Sequence, residues 1–291
     1  MEYHYYPGCT LQTKAKNFDE ALHNVTTALD VTLTELPNWV CCGAVSPLAT
    51  DNDMKLLAPI RNLAKAETLT QTLVTSCVFC YNILKRTNTV LHNDPARHEK
   101  INTFLDATYS GHVQVRHILE VLRDDIGFST LRTKRKRKIP LTLAPFYGCM
   151  LLRPPDILQI DNAENPSLLT HLFESVGCRV IEYPYQTECC GSYVTLQSQS
   201  VALDRIKTLI TAASQRNADA IICSCPLCFF NLDYFQQILR HTDTRFEPIP
   251  IFYFSEVLSL AFDVCEPHWF STHHIDPRPL LSTTGCLPEA I

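Results

Sequence analysis

The sequence predicts an α/β protein of two pseudo-symmetric halves, because a five-cysteine pattern occurs twice and short apolar strands alternate with amphipathic helices. The adjacent pair Cys41-Cys42-Gly43 returns as Cys189-Cys190-Gly191. In both copies a cysteine lies upstream of the pair, Cys9 with 31 intervening residues and Cys149 with 39, and a C-x-x-C motif begins after 34 intervening residues, 43–76 and 191–224. The first set is Cys9, Cys41, Cys42, Cys77 and Cys80, and the second set is Cys149, Cys189, Cys190, Cys225 and Cys228. This repetition indicates an internal duplication.

The first half shows the expected alternation of elements in order. Phe18, Leu22 and Val25 recur at helical spacing, whereas residues 31–36 alternate as a strand does before Pro37 ends it. The polar stretch 92–112 predicts a surface insertion that carries one short helix. The predicted strands are 2–6, 31–36, 72–75 and 113–115, and the predicted helices are 18–29, 55–69, 81–91, 95–105 and 117–125.

The second half repeats this plan. Asn165-Pro166-Ser167 is typical of a helix start, and Gly177 is typical of a helix end. Beyond Cys265 the chain is rich in His and Pro and predicts an irregular tail that wraps the body of the protein or a neighbour. The predicted strands are 139–145, 180–183, 220–223 and 249–254, and the further predicted helices are 201–213, 229–239 and 255–262.

These elements predict two Rossmann-like α/β domains with largely parallel sheets. The predicted domains are 1–131 and 140–265, with a basic linker at 132–139 and a tail at 266–291. The linker contains five consecutive basic residues, 134–138, which we interpret as a solvated connection. Ligand loops of parallel sheets gather at the carboxyl ends of the strands. All ten paired cysteines are expected at such ends or just beyond them.

Composition excludes several classes of protein. A formal net charge of -5 argues against nucleic acid as the main partner. No apolar run approaches the roughly 18 residues that a membrane span needs, and Met1-Glu2-Tyr3-His4 does not begin a signal peptide. We therefore expect a cytoplasmic protein. Because thiols stay reduced there, fourteen cysteines indicate metal or redox chemistry more than a disulfide framework.

The spacing of the ten paired cysteines favours iron–sulfur ligation. A C-x-x-C turn lets two sulfurs converge, and Gly43 and Gly191 permit the sharp turn that two adjacent cysteines need to reach one cluster. Structural zinc takes four ligands, which leaves one cysteine of each five without a role. A regular cubane also needs only four thiolates, so the fifth indicates an unusual cluster or an acid, base or exchange partner. Zinc in one or both sites, or inert thiols, remain alternatives.

The other sequence signals limit what this chain can carry. Cys178, Cys223, Cys265 and Cys286 fall outside the repeated pattern and are expected to be free thiols. No G-x-G-x-x-G or Walker sequence can be written, so we expect no NAD or flavin in this chain. There is also no ferredoxin-type C-x-x-C-x-x-C run. Electrons must then come from another protein.

These motifs resemble the cysteine-rich CCG domain, and their tandem arrangement over nearly the whole chain is similar to the B-type subunit of heterodisulfide reductase. The segment 276–281 resembles the bacterial branch of that family. The motifs that carry the resemblance are Tyr6-Pro7-Gly8-Cys9-Thr10, Trp39-Val40-Cys41-Cys42-Gly43, Cys80-Tyr81-Asn82, Tyr147-Gly148-Cys149, Glu188-Cys189-Cys190-Gly191-Ser192-Tyr193 and Ser224-Cys225-Pro226-Leu227-Cys228.

The resemblance implies cofactors and partners. It implies that each five-cysteine set holds a noncubane [4Fe-4S] cluster, with no ligand position missing. It also implies two partner proteins in the same complex, a ferredoxin-like C-type subunit with ordinary [4Fe-4S] clusters and a flavin-containing A-type subunit that supplies electrons. The implied substrate is a small disulfide or related sulfur compound, which is the coenzyme M–coenzyme B heterodisulfide in methanogens.

Reduction of a disulfide takes two electrons, so two one-electron clusters that face one substrate are the smallest sufficient set. We expect the halves to pack about a pseudo-twofold axis with the S–S bond between the clusters. Candidate proton donors near the cysteine loops are Tyr5, Tyr81, His117, Tyr147 and Tyr193. The alternative hypothesis is a CCG-type electron-relay or membrane-docking subunit of a succinate, lactate or glycolate dehydrogenase.

Overall fold

The computed structural model describes residues 1–44, 53–105 and 108–287 of the 291-residue chain. It contains two four-stranded sheets, one in each half, and every strand pairing is parallel. This confirms the predicted duplicated α/β fold class.

The first half runs through its elements in the predicted order. The strands are β1 (Glu2–Tyr5), β2 (Thr32–Glu35), β3 (Thr72–Thr75) and β4 (Gln114–His117). The helices are α1 (Lys16–Ala28), α2 (Met54–Glu67), α3 (Val78–Asn93), α4 (Pro95–Leu105), α5 (Ile118–Glu120), which continues as a π-helical turn over Val121–Ile126, and α6 (Phe128–Lys134).

The second half repeats the same sheet. Its strands are β5 (Thr142–Phe146), β6 (Arg179–Val180), β7 (Ala220–Cys223) and β8 (Ile251–Tyr253). Its helices are α7 (Pro155–Leu158), α8 (Leu168–Val176), α9 (Gln199–Ser214), α10 (Pro226–Thr242) and α11 (Phe254–Phe262), followed by a 3₁₀ turn over Pro267–Thr272 and α12 (Arg278–Thr283).

Both sheets have the same strand order, and this order positions the cysteines. The order is β2-β1-β3-β4 in the first half and β6-β5-β7-β8 in the second. The loops that follow β1, β2 and β3 carry the first cysteine set, and those that follow β5, β6 and β7 carry the second. Because these strands are neighbours and parallel, their carboxyl ends bring the cysteine loops together.

The helices after the C-x-x-C motifs begin earlier than the sequence predicted. We expected them from 81 and 229, but α3 begins at Val78 and α10 at Pro226, directly after Cys77 and Cys225. Pro226 could have indicated this, because proline favours the first helical position. The second cysteine of each motif therefore lies in the first helical turn.

One hydrophobic core extends through both halves. Helix α1 packs on α11, and the Ser255 hydroxyl donates to the Phe18 carbonyl at 3.0 Å. Phe18 also stacks on Tyr253, with ring centroids 4.4 Å apart. Further contacts between halves join α3 to α7 and α6 to α8. The halves are thus tied by packing as well as by sequence. No helix in the described ranges is both long and apolar enough to cross a membrane.

The connection between the sheets is exposed in part and held by hydrogen bonds in part. Lys136, Arg137 and Lys138 are exposed, but the backbone amides of Lys136 and Arg137 donate to the Ala261 carbonyl at 2.8 and 3.2 Å. Arg135 donates to the Ser175 carbonyl at 2.5 Å. Basic side chains can cover backbone carbonyls as well as face water, which sequence alone does not distinguish.

The tail packs on the body of the protein. We expected it to be irregular, but part of it is regular. It contains the 3₁₀ turn and α12. The Trp269 indole donates to Glu20 at 2.7 Å, and the backbone amide of His274 donates to buried Asp233 at 2.6 Å. Strand β6 also differs from its prediction, since only two residues pair where 180–183 was expected.

Candidate functional site

The five thiols of the first set form one connected chain at the carboxyl ends of β1, β2 and β3. Cys41 donates to Cys9 with an Sγ–Sγ distance of 3.5 Å, and Cys42 and Cys80 are also 3.5 Å apart. Hydrogen bonds from Cys41 to Cys42 and from Cys80 to Cys77 complete the chain. The last three thiols are buried, whereas Cys9 and Cys41 are exposed.

The second set repeats this path residue by residue. Its chain of hydrogen-bonded thiols runs Cys149, Cys189, Cys190, Cys228 and Cys225. Cys190, Cys225 and Cys228 are buried, and the other two are half-buried. The predicted ten cysteines therefore gather into two compact groups, which we call the first and second thiol sets.

Glycine backbone lies close to the second cysteine of each C-x-x-C motif, Cys80 and Cys228. Gly8 has φ +75° and Gly148 has φ +66°, a conformation that side chains rarely adopt. A Cβ atom at Gly8 would lie 2.6 Å from the Cys80 sulfur, and one at Gly148 would lie 3.2 Å from the Cys228 sulfur. A side chain at Gly8 would force a shift of backbone or thiol, and one at Gly148 would press on the Cys228 sulfur, a requirement that the sequence motif contained but that we did not predict.

The pKa is lowered for one thiol of the first set, Cys42, and for two thiols of the second set, Cys189 and Cys225. Hydrogen bonds from Cys41 and Cys80 lower the pKa of the Cys42 thiol to about 4. Hydrogen bonds from Cys149 and Cys190 lower the pKa of the Cys189 thiol to about 2. Thiolate is the form that binds metals.

The donor set fits an iron–sulfur cluster. Five clustered thiols suit ligation of iron by thiolate, and Gly8 and Gly148 let the backbone come close to the sulfurs. In the described ranges, no three His, Cys, Asp or Glu side chains are arranged around a single metal-ion position. The thiols form chains instead, and the ten paired cysteines are the residues that could hold the clusters.

The two halves meet at the second thiol set. Phe79, between the two cysteines of the first C-x-x-C motif, lies 5.9 Å from Tyr193, measured between ring centroids. Both rings line a cavity of about 10 Å³, room for roughly one water molecule. The other lining residues are Val78, Tyr147, Cys149, Met150, Cys190, Ser192, Cys225 and Cys228. A residue of the first half therefore forms part of the second site.

Two of the five candidate proton donors belong to a buried network behind the first set. The Tyr5 hydroxyl donates to Asp19 at 2.6 Å and lies 2.7 Å from the Ser76 hydroxyl. His117 Nε2 lies 2.9 Å from the Ser76 carbonyl, and burial lowers the pKa of His117 to about 3. These side chains hold the strand end before Cys77 in place.

Two further candidates are also engaged with backbone. The Tyr81 hydroxyl donates to the Leu158 carbonyl at 3.0 Å, which joins the two halves. The Tyr147 hydroxyl accepts from the Leu169 amide at 2.7 Å. Burial raises the pKa of both tyrosines well above the ordinary range. Of the five candidates, Tyr193 alone combines an exposed ring with a place beside the thiols.

The equivalent serines of the two sets differ in their partners. Ser76 bonds to Tyr5, whereas the buried hydroxyl of Ser224 has no hydrogen-bond partner among the described residues. Pro145 occupies the position that corresponds to Tyr5 and offers no hydroxyl. The two sets are therefore built alike but supported differently.

The four remaining cysteines stay outside both thiol chains. All fourteen cysteines are free, and Cys178, Cys223 and Cys286 are buried, whereas Cys265 is half-buried. Cys223 is closest to a set, with its sulfur 4.0 Å from the Cys225 carbonyl oxygen. Burial raises the pKa of the Cys223 thiol well above its ordinary value.

Fold and site together define a tandem α/β protein that presents one set of five thiols in each half. Residues 3–85 and 143–233 match the CCG cysteine-rich domain, and these two matches cover more than half of the chain. The chain belongs to the CCG cysteine-rich domain family.

Relatives that match most of the chain include subunits of two reductases. The 8-methylmenaquinol:fumarate reductase membrane anchor subunit of Wolinella succinogenes is 29% identical over 267 residues, which cover 90% of this chain and 93% of that protein. The B-type subunit of the ferredoxin/F(420)H(2)-dependent CoB-CoM heterodisulfide reductase of Methanosarcina acetivorans is 26% identical over 260 residues, 87% of each chain. Both relatives are named as subunits of reductases.

A solved structure supports the fold. The crystal structure of a hypothetical protein from Helicobacter pylori superposes with a TM-score of 0.75 at 12% identity. The match covers 94% of this chain and 51% of that protein, so this chain spans about half the length of the Helicobacter protein. The similarity concerns architecture alone.

Proposed function

We propose that this chain is the iron–sulfur subunit of a heterodisulfide reductase-type complex. The protein would reduce a disulfide or related sulfur compound to two thiols. The observation that carries this proposal is the pair of thiol sets at equivalent strand ends of the two halves, with Phe79 of the first half beside Tyr193 of the second. The similarity to the Methanosarcina heterodisulfide reductase protein supports it.

We assign one [4Fe-4S] cluster to each set, held by its five cysteines. When bound, such clusters supply one-electron transfer, and two of them match the two electrons that a disulfide requires. The balanced reaction is RSSR + 2 e⁻ + 2 H⁺ → 2 RSH. The fifth thiol of each set favours a noncubane cluster over a regular cubane, because a cubane uses four.

The chain's own residues would position the cluster ligands and cover the second set. Gly8 allows the backbone to lie against the Cys80 thiol, and Gly148 allows the same at Cys228. Arg205 donates to the Cys189 carbonyl at 3.1 Å and pairs with Glu188 at 2.5 Å, which fixes the second cysteine pair. Buried Phe79 would cover the second set from the side of the first half.

The complex would contain two electron donors, a ferredoxin-like iron–sulfur protein of the C type and a flavin-containing protein of the A type. The resemblance to the B-type subunit of heterodisulfide reductase implies these partners, and the lack of a nucleotide-binding or ferredoxin motif in the sequence agrees with them. A cytoplasmic location is part of the same proposal.

Metal analysis of anaerobically purified protein tests the cofactor assignment. Two four-iron clusters predict about eight iron and eight acid-labile sulfide atoms per chain. About four of each would leave one cluster and reject the two-electron scheme. Zinc without sulfide would show that the thiols hold single ions instead.

A second candidate function is electron relay or membrane docking in a dehydrogenase or reductase complex. The similarity to the fumarate reductase membrane anchor subunit favours it specifically. In that case the clusters would pass electrons without binding sulfur compounds. Electron paramagnetic resonance of the oxidised protein separates the candidates. A signal that appears only with added thiol supports disulfide reduction, and a thiol-independent spectrum supports relay.

A further inference from the structure

The backbone at the first cysteine of each adjacent pair is held by different kinds of group in the two halves. In the first half, the Tyr6 hydroxyl donates to the Val40 carbonyl, directly before Cys41, at 2.8 Å. The Asn62 side chain donates to the same carbonyl and accepts from the Val40 amide, both at 2.8 Å. Phe146, which corresponds to Tyr6 in the repeated motif, has no hydroxyl. The first cysteine pair is therefore held by uncharged groups that the second half does not repeat.

A charged pair holds the second cysteine pair. Arg205 Nε donates to the Cys189 carbonyl at 3.1 Å, and the guanidinium pairs with Glu188 at 2.5 Å. The guanidinium also lies over the Tyr185 ring, 5.9 Å from its centroid. The Arg205 side chain is 29% exposed, whereas the Glu188 side chain is 51% exposed. Water therefore screens the cation less than its carboxylate partner.

Helix α9 carries Arg205, and the corresponding helix α2 carries a proline at that place. The two helices share the spacing of their fully buried side chains, which are Ile60 and Leu63 in α2 and Ile206 and Leu209 in α9. Pro59 and Arg205 come directly before the first of these. At this position the positive charge belongs to the second half alone.

The charge of Arg205 acts on the nearest thiol. Hydrogen bonds from Cys149 and Cys190 lower the pKa of the Cys189 thiol most, and the charge of Arg205 lowers it further. In the first pair, hydrogen bonds from neighbouring thiols and from backbone amides lower the pKa of Cys42. A nearby positive charge stabilises the more negative of two states, whether these differ by a proton or by an electron.

We propose that Arg205 raises the reduction potential of the cluster in the second thiol set, so that the two clusters of this duplicated protein are electronically unequal. Each one-electron reduction adds one negative charge to a cluster, and the guanidinium beside Cys189 stabilises that charge. Arg205 is thus a positioning residue that exchanges neither electrons nor protons itself. The inference rests on the cluster assignment within the proposed function and does not depend on the identity of the substrate.

Redox titration of the cluster-loaded protein, followed by electron paramagnetic resonance, tests the proposal through the midpoint potential of each cluster. Arg205→Gln should keep the wild-type iron and sulfide content. It should lower one midpoint potential by about 59 mV, which is a tenfold change in the equilibrium constant of a one-electron couple, and leave the other unchanged. Arg205→Lys should keep most of the wild-type potential, because it retains the charge. Lys207→Gln is the matched control, since Lys207 lies on the same helix and pairs with Asp243 at 2.8 Å.

The sign of the shift in Glu188→Gln separates charge from packing. This variant removes the negative partner of Arg205 and should raise the midpoint potential that Arg205→Gln lowers. Loss of an ion pair with a merely structural role would shift both variants in the same direction. Shifts of equal sign, or an unshifted potential in Arg205→Gln, would overturn the proposal and leave the cluster assignment intact. Iron and sulfide for one cluster or none in wild type would reject the assignment itself, and this inference with it.

Discussion

Asn82 of the first half donates its side-chain amide to the Met150 carbonyl of the second half at 2.7 Å. The same amide nitrogen donates to the Arg153 carbonyl at 2.8 Å. Asn82 follows Cys80 by two residues in α3, and Met150 is adjacent to Cys149. One side chain thus joins the helix that carries the end of the first thiol set to the loop that begins the second.

Asn82→Ala should destabilise the protein by about 2 kcal/mol, because two carbonyls lose their donor at a buried junction. Chemical denaturation would measure the loss as a lower midpoint. Thr89→Ala on the same helix is the control, since the Thr89 hydroxyl bonds only within α3, to Lys85. Unfolding of Asn82→Ala at the wild-type midpoint would contradict this role.

Gly8→Ala should remove iron from the first thiol set. The new Cβ would lie 2.6 Å from the Cys80 sulfur at φ +75°, so backbone or thiol must shift. Gly285→Ala is a matched control with φ +71° and no atom within 4 Å, and it should cost only about 1 kcal/mol of backbone strain. Iron content should fall to roughly half in the first variant alone. Full iron loading of Gly8→Ala would show that the close approach is dispensable.

Substitution of single cysteines should divide them into two classes. Cys80→Ala or Cys228→Ala breaks a hydrogen-bonded thiol chain and should lower iron and sulfide to roughly half. Cys178→Ala and Cys265→Ala lie outside both chains and should keep full content. Loss of iron on replacement of Cys178 would mean that the sets are wrongly assigned.

His273 should make stability depend on pH. Its Nε2 donates to Glu256 at 2.9 Å, and both side chains are fully buried. Burial opposes protonation, but the charge of Glu256, its hydrogen bond, Asp233 and Asp276 together raise the pKa of His273 above the ordinary 6.5. Because the folded pKa exceeds the unfolded one, the stabilisation is fully present below about pH 6.5 and is lost as pH rises through the raised value.

The measurement compares denaturation midpoints at pH values on either side of that window. His273→Gln should lower the free energy of unfolding by about 3 kcal/mol at low pH, where the buried pair is intact in wild type. Its stability should also depend less on pH. His171→Gln is the control, because His171 is exposed and lies 3.9 Å from Glu174 at the surface. If His273→Gln kept the wild-type dependence of stability on pH, the His273–Glu256 pair would not be its cause.

The sequence predicted the duplication, the parallel α/β class and the grouping of the cysteines, because each follows from local signals. Apolar periodicity located most helices and strands, and repeated spacing located the thiol sets. Glu120 and Glu256, matched in sequence, accept from the backbone amides of His117 and Tyr253 at 2.7 and 2.9 Å. The duplication therefore extends to side-chain hydrogen bonds.

What the sequence did not predict depends on contacts between distant segments. Nothing local distinguishes Tyr193 from the other four candidate donors, because only tertiary packing decides which hydroxyl is engaged. The role of Asn82 required the loop after Cys149 to be placed against α3. The basic segment at 134–138 carries the same charges whether it faces water or covers carbonyls, so composition does not predict that Arg135 donates to the Ser175 carbonyl.

The carboxylate of Glu256 also has a consequence for biosynthesis. It accepts from Asn17 at 2.8 Å and from His273, so three segments far apart in sequence converge on one buried charge. Since His273 follows both halves, this charge has no cationic partner while the ribosome is still making the tail. Each half can collapse as a unit during translation, but the hydrogen bond that joins the tail to Glu256 forms only after His273 has been synthesised.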